Sequence, residues 1–547
     1  MAVIITDNRT RPTQADTTTG WTSSSGVAVF TSAPTPAEAT GCLGVQVSTA
    51  TEDSYFSQTA ANLTDTLVYC WLLPGGVLET VASGGVQIYL GDGTNNRGYH
   101  IGGSNGAGFR HDAGPVVWQC FVVDTGNLPA NTSQFGGGAP NFGAITRVGN
   151  VFTTLAKSVG GQENCFIDII AYGNGGLTIT GGGTGTEGKF LEIATADRSE
   201  ANLTAYGICR ELGSGLFGLQ GPLTFGSTGT GSVDFEDTGL TVVFEDRNIG
   251  TNKYGITIAG GTGNTTVIFG NRDGVGLGSQ GVNFVCPTGV GAFWNASDTD
   301  INLLGLYGGS LAGFNNGVTF TSSATTGPNH EIFSTAFRQC GLITVGTTEF
   351  RNNSITGSVA TSAVLLETTS IVSDLVFTSA GTGHAITIET PGTYDFTDFT
   401  YEGYAATDGS TGNESFYNNS GGAVTINVSG GDSPTVRNGA GASTVVNNNI
   451  SITVTNLKDN TEVRVFLTST LDNAPPYTAP TEVAGVEIAT DGTAGARSFT
   501  FSVAAGTGLT IRTFNERWIA ADIAIVPTSS QEVQIAQQRD RVFTNPS

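Results

Sequence analysis

Three groups of carboxylates sit where strand-like apolar runs meet polar residues. Glu236 and Asp237 lie in VDFED, Glu245 and Asp246 in VVFEDR, and Asp395, Asp398 and Glu402 in YDFTDFTYEGY. Glycoside hydrolysis uses two such groups across one bond. One acts as acid and the other as base or nucleophile, at a separation set by the mechanism. Tyr394, Tyr401 and Tyr404 interleave with the last group and are candidates to stack on sugar rings, as are Trp71 in TLVYCWLL and Trp118 in VVWQCFVVD. The same residues have a plainer reading. Acidic residues that alternate with apolar ones mark the outward face of a strand, and on that reading no residue is catalytic.

Other motifs fail on context. GSGLFG (213–218) and GLGSQG (276–281) fit GxGxxG, but neither opens a helix as a dinucleotide site requires. GGSNG (102–106) fits GxSxG around Ser104, with His100 and His111 nearby. The following AGFRHDAG is no helix, so the elbow that would aim the serine is missing. Asp298, Asp300 and Asn302 begin like an EF-hand loop, yet Leu303 and Gly309 stand where its glycine and bidentate glutamate belong. A looser Ca²⁺ site of Asp and carbonyl oxygens stays open at Asp298 and Asp300, and at Asp92 in GDGTNN. No other cofactor is implied.

These residues must be positioned by strands. The 547-residue chain is 38% hydrophobic and only 12% charged, about half the usual ~25%. It holds 79 glycines and a single methionine, whereas Thr, Val, Ile and Phe favour pleated surfaces. The expected fold is all-β, with glycine at tight turns. A net charge of −24 repels nucleic acid and anionic membrane. The opening MAVIITDNRTRPTQ lacks the basic and apolar regions of a secretory signal. No run reaches the ~18 apolar residues of a membrane helix. Synthesis in a cytoplasm, without membrane insertion, is the expectation. The seven cysteines (Cys42, Cys70, Cys120, Cys165, Cys209, Cys286, Cys340) show no CxxC spacing and read as buried free thiols.

Residues 1–160 hold short apolar or alternating runs separated by Gly, Asn and Pro, which suits a jelly-roll-like sandwich. Residues 161–449 differ: strands such as PLTF, LTVVFE and TTVIFG alternate with Gly/Thr/Ser turns. AVLLETTSIVSDLVFTSAG at 363 is echoed by AITIETPGTYDFTDFTYEG at 385, an interval of 22 residues. From Ile386 that interval reaches Val364, Leu342 and Phe320; from Phe399 it reaches Phe377, Ile355 and Phe333. All are apolar. A period this short fits one coil of a right-handed parallel β-helix, each coil burying its apolar face against its neighbours. From Ile450 the alternation in ISITVTNLKDNTEVRVF marks a small β-sandwich over 450–547, ending in an arm.

The stretches HAITIETPGTYDFTDFTYEGY and NNSGGAVTINVSGG with PTVRNGAGAS, and ENCFIDIIAYGNGGLTITGGGTGT upstream, are similar to segments of β-helix structural proteins of tailed bacteriophages. The N-terminal part resembles laminin-G or concanavalin-type sandwiches. The phage resemblance covers about residues 160–547. It implies a virion-surface protein, a homotrimer forming a spike, fibre or capsid decoration beside other virion proteins, and it supplies no catalytic motif. The reading favoured is a non-enzymatic particle protein that also adheres to host surface polysaccharide. The alternative is a receptor-binding spike that depolymerises it.

Overall fold

The computed structural model describes residues 4–539 apart from 24–25, 32–35, 38–40, 48–50, 74–85, 101–117, 129–131, 137, 154–162, 181–186, 189, 197–206, 227–233, 246–248, 251–252, 261–264, 272–280, 288–290, 299, 321–329, 405–411, 472–478, 488–496, 517 and 528–529. The described chain is all-β, with large parallel sheets. It divides into two compact units, one of residues 1–349 with 357–360 and the other of 350–356 with 361–547.

In the first unit, two six-stranded antiparallel sheets share one core. Val68, Cys70, Leu72 and Phe121 contribute from one sheet, and Ile88, Leu90, Val148 and Phe152 from the other. These residues alternate along their strands because successive side chains point to opposite faces. The strand Glu163–Tyr172, within the segment expected to open the coils, pairs instead with Leu67–Leu73 and Cys42–Val47. The N-terminal pairing therefore continues past residue 160.

Parallel ladders follow. In one, Leu177, Leu223, Ile256, Trp294, Val318 and Ile343 stand in register down successive strands. In a second, Val242, Phe284, Leu311 and Phe337 do the same. In a third, Val267, Leu304 and His330 follow, as do Phe269, Leu306 and Ile332. One strand of each ladder makes a coil, and the buried rows meet inside it. The interior is aromatic. Trp294 packs edge-on against Phe284 at 5.2 Å, and Phe269 against Phe284 at 5.3 Å. Among the described residues, the all-β expectation missed the α-helix Phe190–Ala196. Phe190, Ile193 and Ala194 make its buried stripe, with helical spacing. The Phe190 ring lies about 6 Å from Phe217, Phe225 and Phe284 and covers apolar surface that the coil leaves open.

The second unit repeats the coil. Val364, Ile386, Phe416 and Val436 are in register down one ladder, and Ile355, Phe377 and Tyr401 down another. The strand Ser443–Thr455 pairs parallel with Ala423–Gly431 through Asn449, then antiparallel with Phe499–Ala504 from Asn449 to Val454. Its second half shares a core with a four-stranded antiparallel sheet through Ile450, Ile452, Val463, Val465, Leu509 and Ile511.

The 22-residue interval holds for Val364 with Ile386 and for Ile355 with Phe377. Elsewhere it slips. Val318 meets Ile343, not Leu342, and Phe320 stands opposite Ala296. Phe333 belongs to the strand His330–Phe333, in a different ladder from Ile355. Phe377 meets Tyr401 in register, although the Phe399 ring is also 6.1 Å away. The reason is mechanical. Strand registers are fixed by stacking, while the corners between strands differ in length.

Candidate functional site

The corners set where the carboxylates sit. Asn352, Asp374 and Asp398 all occupy the left-handed region, with φ of 53°, 55° and 54°. Asn and Asp visit this region most readily among residues with a side chain. The Asn352 N–H donates to the Ser373 carbonyl at 3.0 Å, and the Asp374 N–H to that of Thr397 at 2.8 Å. Asp398 is therefore a corner residue, chosen for its backbone. A side chain at Gly430 would fall on its carboxylate.

Asp395 lies on the outward face of Gly392–Glu402 and accepts from Asn427 Nδ2 at 2.7 Å. Asn427 in turn accepts from Asn447 Nδ2 at 2.9 Å, so one row runs across three strands. Glu402 is exposed and accepts from the Thr378 hydroxyl at 3.4 Å. Glu245 forms a fork with Arg210, Nε to Oε1 at 2.5 Å and Nη2 to Oε2 at 2.6 Å. Such bidentate pairs fix geometry as well as charge. Glu236 and Asp237 lie on the strand Asp234–Asp237, and only their backbone is described. Asp246, Ser104 and His111 lie outside the described residues.

The aromatic candidates are mostly interior, which corrects their assignment as sugar contacts. Tyr394 is 5% exposed; its hydroxyl donates to the Thr390 carbonyl at 2.7 Å, and burial pushes its pKa up to about 12. Tyr404 is buried, with its pKa likewise pushed up to about 12 by burial. Tyr401 lies flat on Phe377 at 5.6 Å, its hydroxyl enclosed without a hydrogen-bond partner, and burial raises its pKa well above the ordinary phenol value. Trp71 is buried in Leu67–Leu73, against the backbone at Gly207. Trp118 is half-buried. The alternation in YDFTDFTYEGY places Tyr394 on the same inward face as Phe396, and Tyr404, beyond the strand, is buried as well.

Asp92 is the centre of a closed turn. Its Oδ1 accepts from the Thr94 and Asn95 N–H groups at 2.8 and 2.7 Å, and its Oδ2 from the Asn141 N–H at 2.8 Å. These bonds, led by that from Asn95, hold its carboxyl well below the usual carboxylate range. Asp298 accepts from the Asp300 N–H at 3.0 Å in a similar turn. Among the described residues, no three His, Cys, Asp or Glu side chains converge as metal ligands do. The cysteines are all buried free thiols; burial pushes Cys42 and Cys340 up to about 12.

Two constellations had no motif to announce them. His384, 5% exposed, has Nδ1 2.8 Å from the Glu414 carbonyl and Nε2 3.1 Å from Arg437 Nη1. Arginine only donates, which assigns the proton to Nδ1. Tyr417 stacks on His384 at 5.0 Å and carries the Arg437 guanidinium at 4.6 Å. In the first unit, Lys253 is enclosed between Asp124 and Asp65. Both groups join residues far apart in sequence, so no local spacing could mark them.

No protein-family profile matches the chain, and no curated protein matches it significantly. Among solved structures, the chain is similar to the Agl-KA catalytic domain at 10% identity, covering 81% of this chain and 98% of that one, with a TM-score of 0.20. The catalytic domain of a GH87 alpha-1,3-glucanase in complex with nigerose is 10% identical over 81% of this chain and 85% of that one, with a TM-score of 0.16. Scores this low carry no argument about function. No helix among the described residues is long and apolar enough to cross a membrane.

Proposed function

We propose that this chain is a non-enzymatic surface protein of a tailed-phage virion, a spike, fibre or capsid decoration. Its parts are an N-terminal jelly-roll-like sandwich, a central right-handed parallel β-helix and a C-terminal β-sandwich, and it works as a homotrimer among other virion proteins. One observation supports this reading: three of the four candidate carboxylates whose side chains are described serve the scaffold. Glu245 is forked to Arg210, Asp395 heads an amide row, and Asp398 turns a corner. Immunogold labelling of virions with an antibody against the chain tests it. Gold on the particle surface is expected; particles that carry none would overturn the assignment.

The second reading is a spike that binds and cleaves host polysaccharide. It is favoured by the exposure of Asp395, Asp398 and Glu402 along one strand. Its test is release of reducing ends from host capsule. Release that disappears in Asp395→Asn or Glu402→Gln, with unchanged circular dichroism, would replace the first reading by the second.

A further inference from the structure

Lys253 carries an ammonium group that the fold has taken out of water. Its side chain is 6% exposed and touches Oδ1 of Asp124, whose side chain is 0% exposed. A second carboxylate, Asp65, reaches the same nitrogen at 2.6 Å. Asp65 precedes the strand Leu67–Leu73, Asp124 ends Gln119–Asp124, and Lys253 stands just before Gly255–Ile258, the strand of a parallel coil. The contact therefore fastens the antiparallel region to the coils within one unit.

The backbone is arranged around this contact. The Gly126 N–H donates to Asp124 Oδ1 and the Gly250 N–H to Oδ2, each at 2.8 Å. A Cβ at position 126 would meet the Asp65 carboxylate and Lys253 Nζ, so a larger residue there would displace this contact. A buried amine and a buried carboxyl carbon held in place by both its oxygens are thus brought together, with a second carboxylate, 71% exposed, reaching the amine from the solvent side.

We propose that Lys253 and Asp124 condense to an intramolecular isopeptide bond, with Asp65 carrying the protons. Asp65 takes a proton from Nζ and frees its lone pair. Nζ attacks Cγ of Asp124; the Nζ–Cγ bond forms and the Cγ–Oδ1 bond breaks. Oδ1 departs as water with two of the three ammonium protons, relayed by Asp65, which ends ionised as it began. The third proton stays on the amide. Oδ2 becomes the amide oxygen, and the Gly250 N–H stabilises the negative charge it bears in the tetrahedral intermediate. No oxidant or cofactor enters the balance. Amide formation is opposed in open water, but well-oriented groups in one fold react with effective molarities of ~10⁵ M or more. Such a cross-link is indifferent to redox conditions, whereas the seven cysteines of this chain form no bridge.

The mass of the full-length chain, measured after denaturation, decides the matter. The expected mass is one water below that of the sequence, with tryptic peptides containing Asp124 and Lys253 joined. Lys253→Arg keeps the positive charge and restores the full mass. Asp65→Asn keeps both reacting groups; the full mass with unchanged circular dichroism supports the proton-carrier role, and persistent water loss in that variant removes Asp65 from the scheme. A wild-type chain of full mass, with Lys253 acetylated readily once unfolded, overturns the proposal outright.

Discussion

The coils of the two units obey one stacking rule and fill it differently. In the first unit the in-register row runs Leu177, Leu223, Ile256, Trp294, Val318, Ile343, at widely unequal intervals. Its interior is packed with Phe190, Phe225, Phe269, Phe284 and Trp294. In the second unit the row runs Val364, Ile386, Phe416, Val436; left-handed positions are held by Asn352, Asp374, Asp398 and several glycines there, and by Ser334, Gln339, Gly270 and Gly308 among others in the first unit. The lesson is that a repeat becomes visible in sequence only where successive corners match in length, as from Val364 to Ile386, even though the same stacking rule holds in both units.

The largest test of this comparison is in the aromatic interior. Trp294→Ala removes a fully buried ring and is expected to cost ~3–5 kcal/mol, whereas Ile386→Val in the second unit costs ~0.5–1.5 kcal/mol. Urea denaturation followed by fluorescence and circular dichroism measures both. Equal losses would mean that the two interiors are equally tolerant, and the contrast between them would fall.

The corners come next. Asp374→Ala forces a Cβ residue with no compensating side chain into the left-handed region and is expected to cost ~1–2 kcal/mol. Asp374→Gly, free to adopt that backbone, stays within ~0.5 kcal/mol of the parent. If both variants are equally destabilised, the side chain rather than the backbone matters at this corner.

The polar contacts between coils sharpen the contrast at a smaller scale. Arg210→Met strips two charge-assisted hydrogen bonds from Glu245 in the first unit, an expected loss of ~1–2 kcal/mol. Asp395→Asn preserves the row with Asn427 in the second unit and should shift the unfolding midpoint by no more than ~0.5 kcal/mol.

The smallest effect concerns pH. The Asp92 carboxyl is lowered by the N–H groups that point at it, so ionisation favours the folded state. Its contribution is present above the unfolded carboxylate range near ~4 and is lost as pH falls toward the folded value. Asp92→Ala should therefore melt lower than the parent at neutral pH, with the gap narrowing in acid. A gap that widens in acid would reverse the assigned sign.

Some of this was legible from residues alone. Alternation in LTVVFE and TTVIFG, with the scarcity of charge and methionine, implied strands, and Val364 over Ile386 was readable from one repeated line. The slip of Leu342 and Phe333 off the expected rows was not readable, because a fixed stride ignores corners of variable length. The helix Phe190–Ala196 was also missed. FLEIATA is too short to show a period, and its place comes from the aromatic surface it covers. Among the site candidates, the tyrosines of YDFTDFTYEGY looked like contacts for a ligand because their ring chemistry suits sugars, while the pleat turned two of them inward.

By itself the sequence determined the class of structure, strands with glycine-rich turns, because alternation and residue type act over a few neighbours. It also determined the 22-residue stride for Val364 with Ile386 and Ile355 with Phe377, where corner lengths agree. Only the tertiary structure decided which carboxylates stay in water, which rings face inward, and that Lys253 meets Asp124 and Asp65. The first two depend on pairings between successive coils, such as Phe377 with Tyr401 and Asp395 with Asn427, and the third on side-chain contacts across more than a hundred positions. Their geometry exists only once the coils have stacked and the antiparallel sheets have closed on their core.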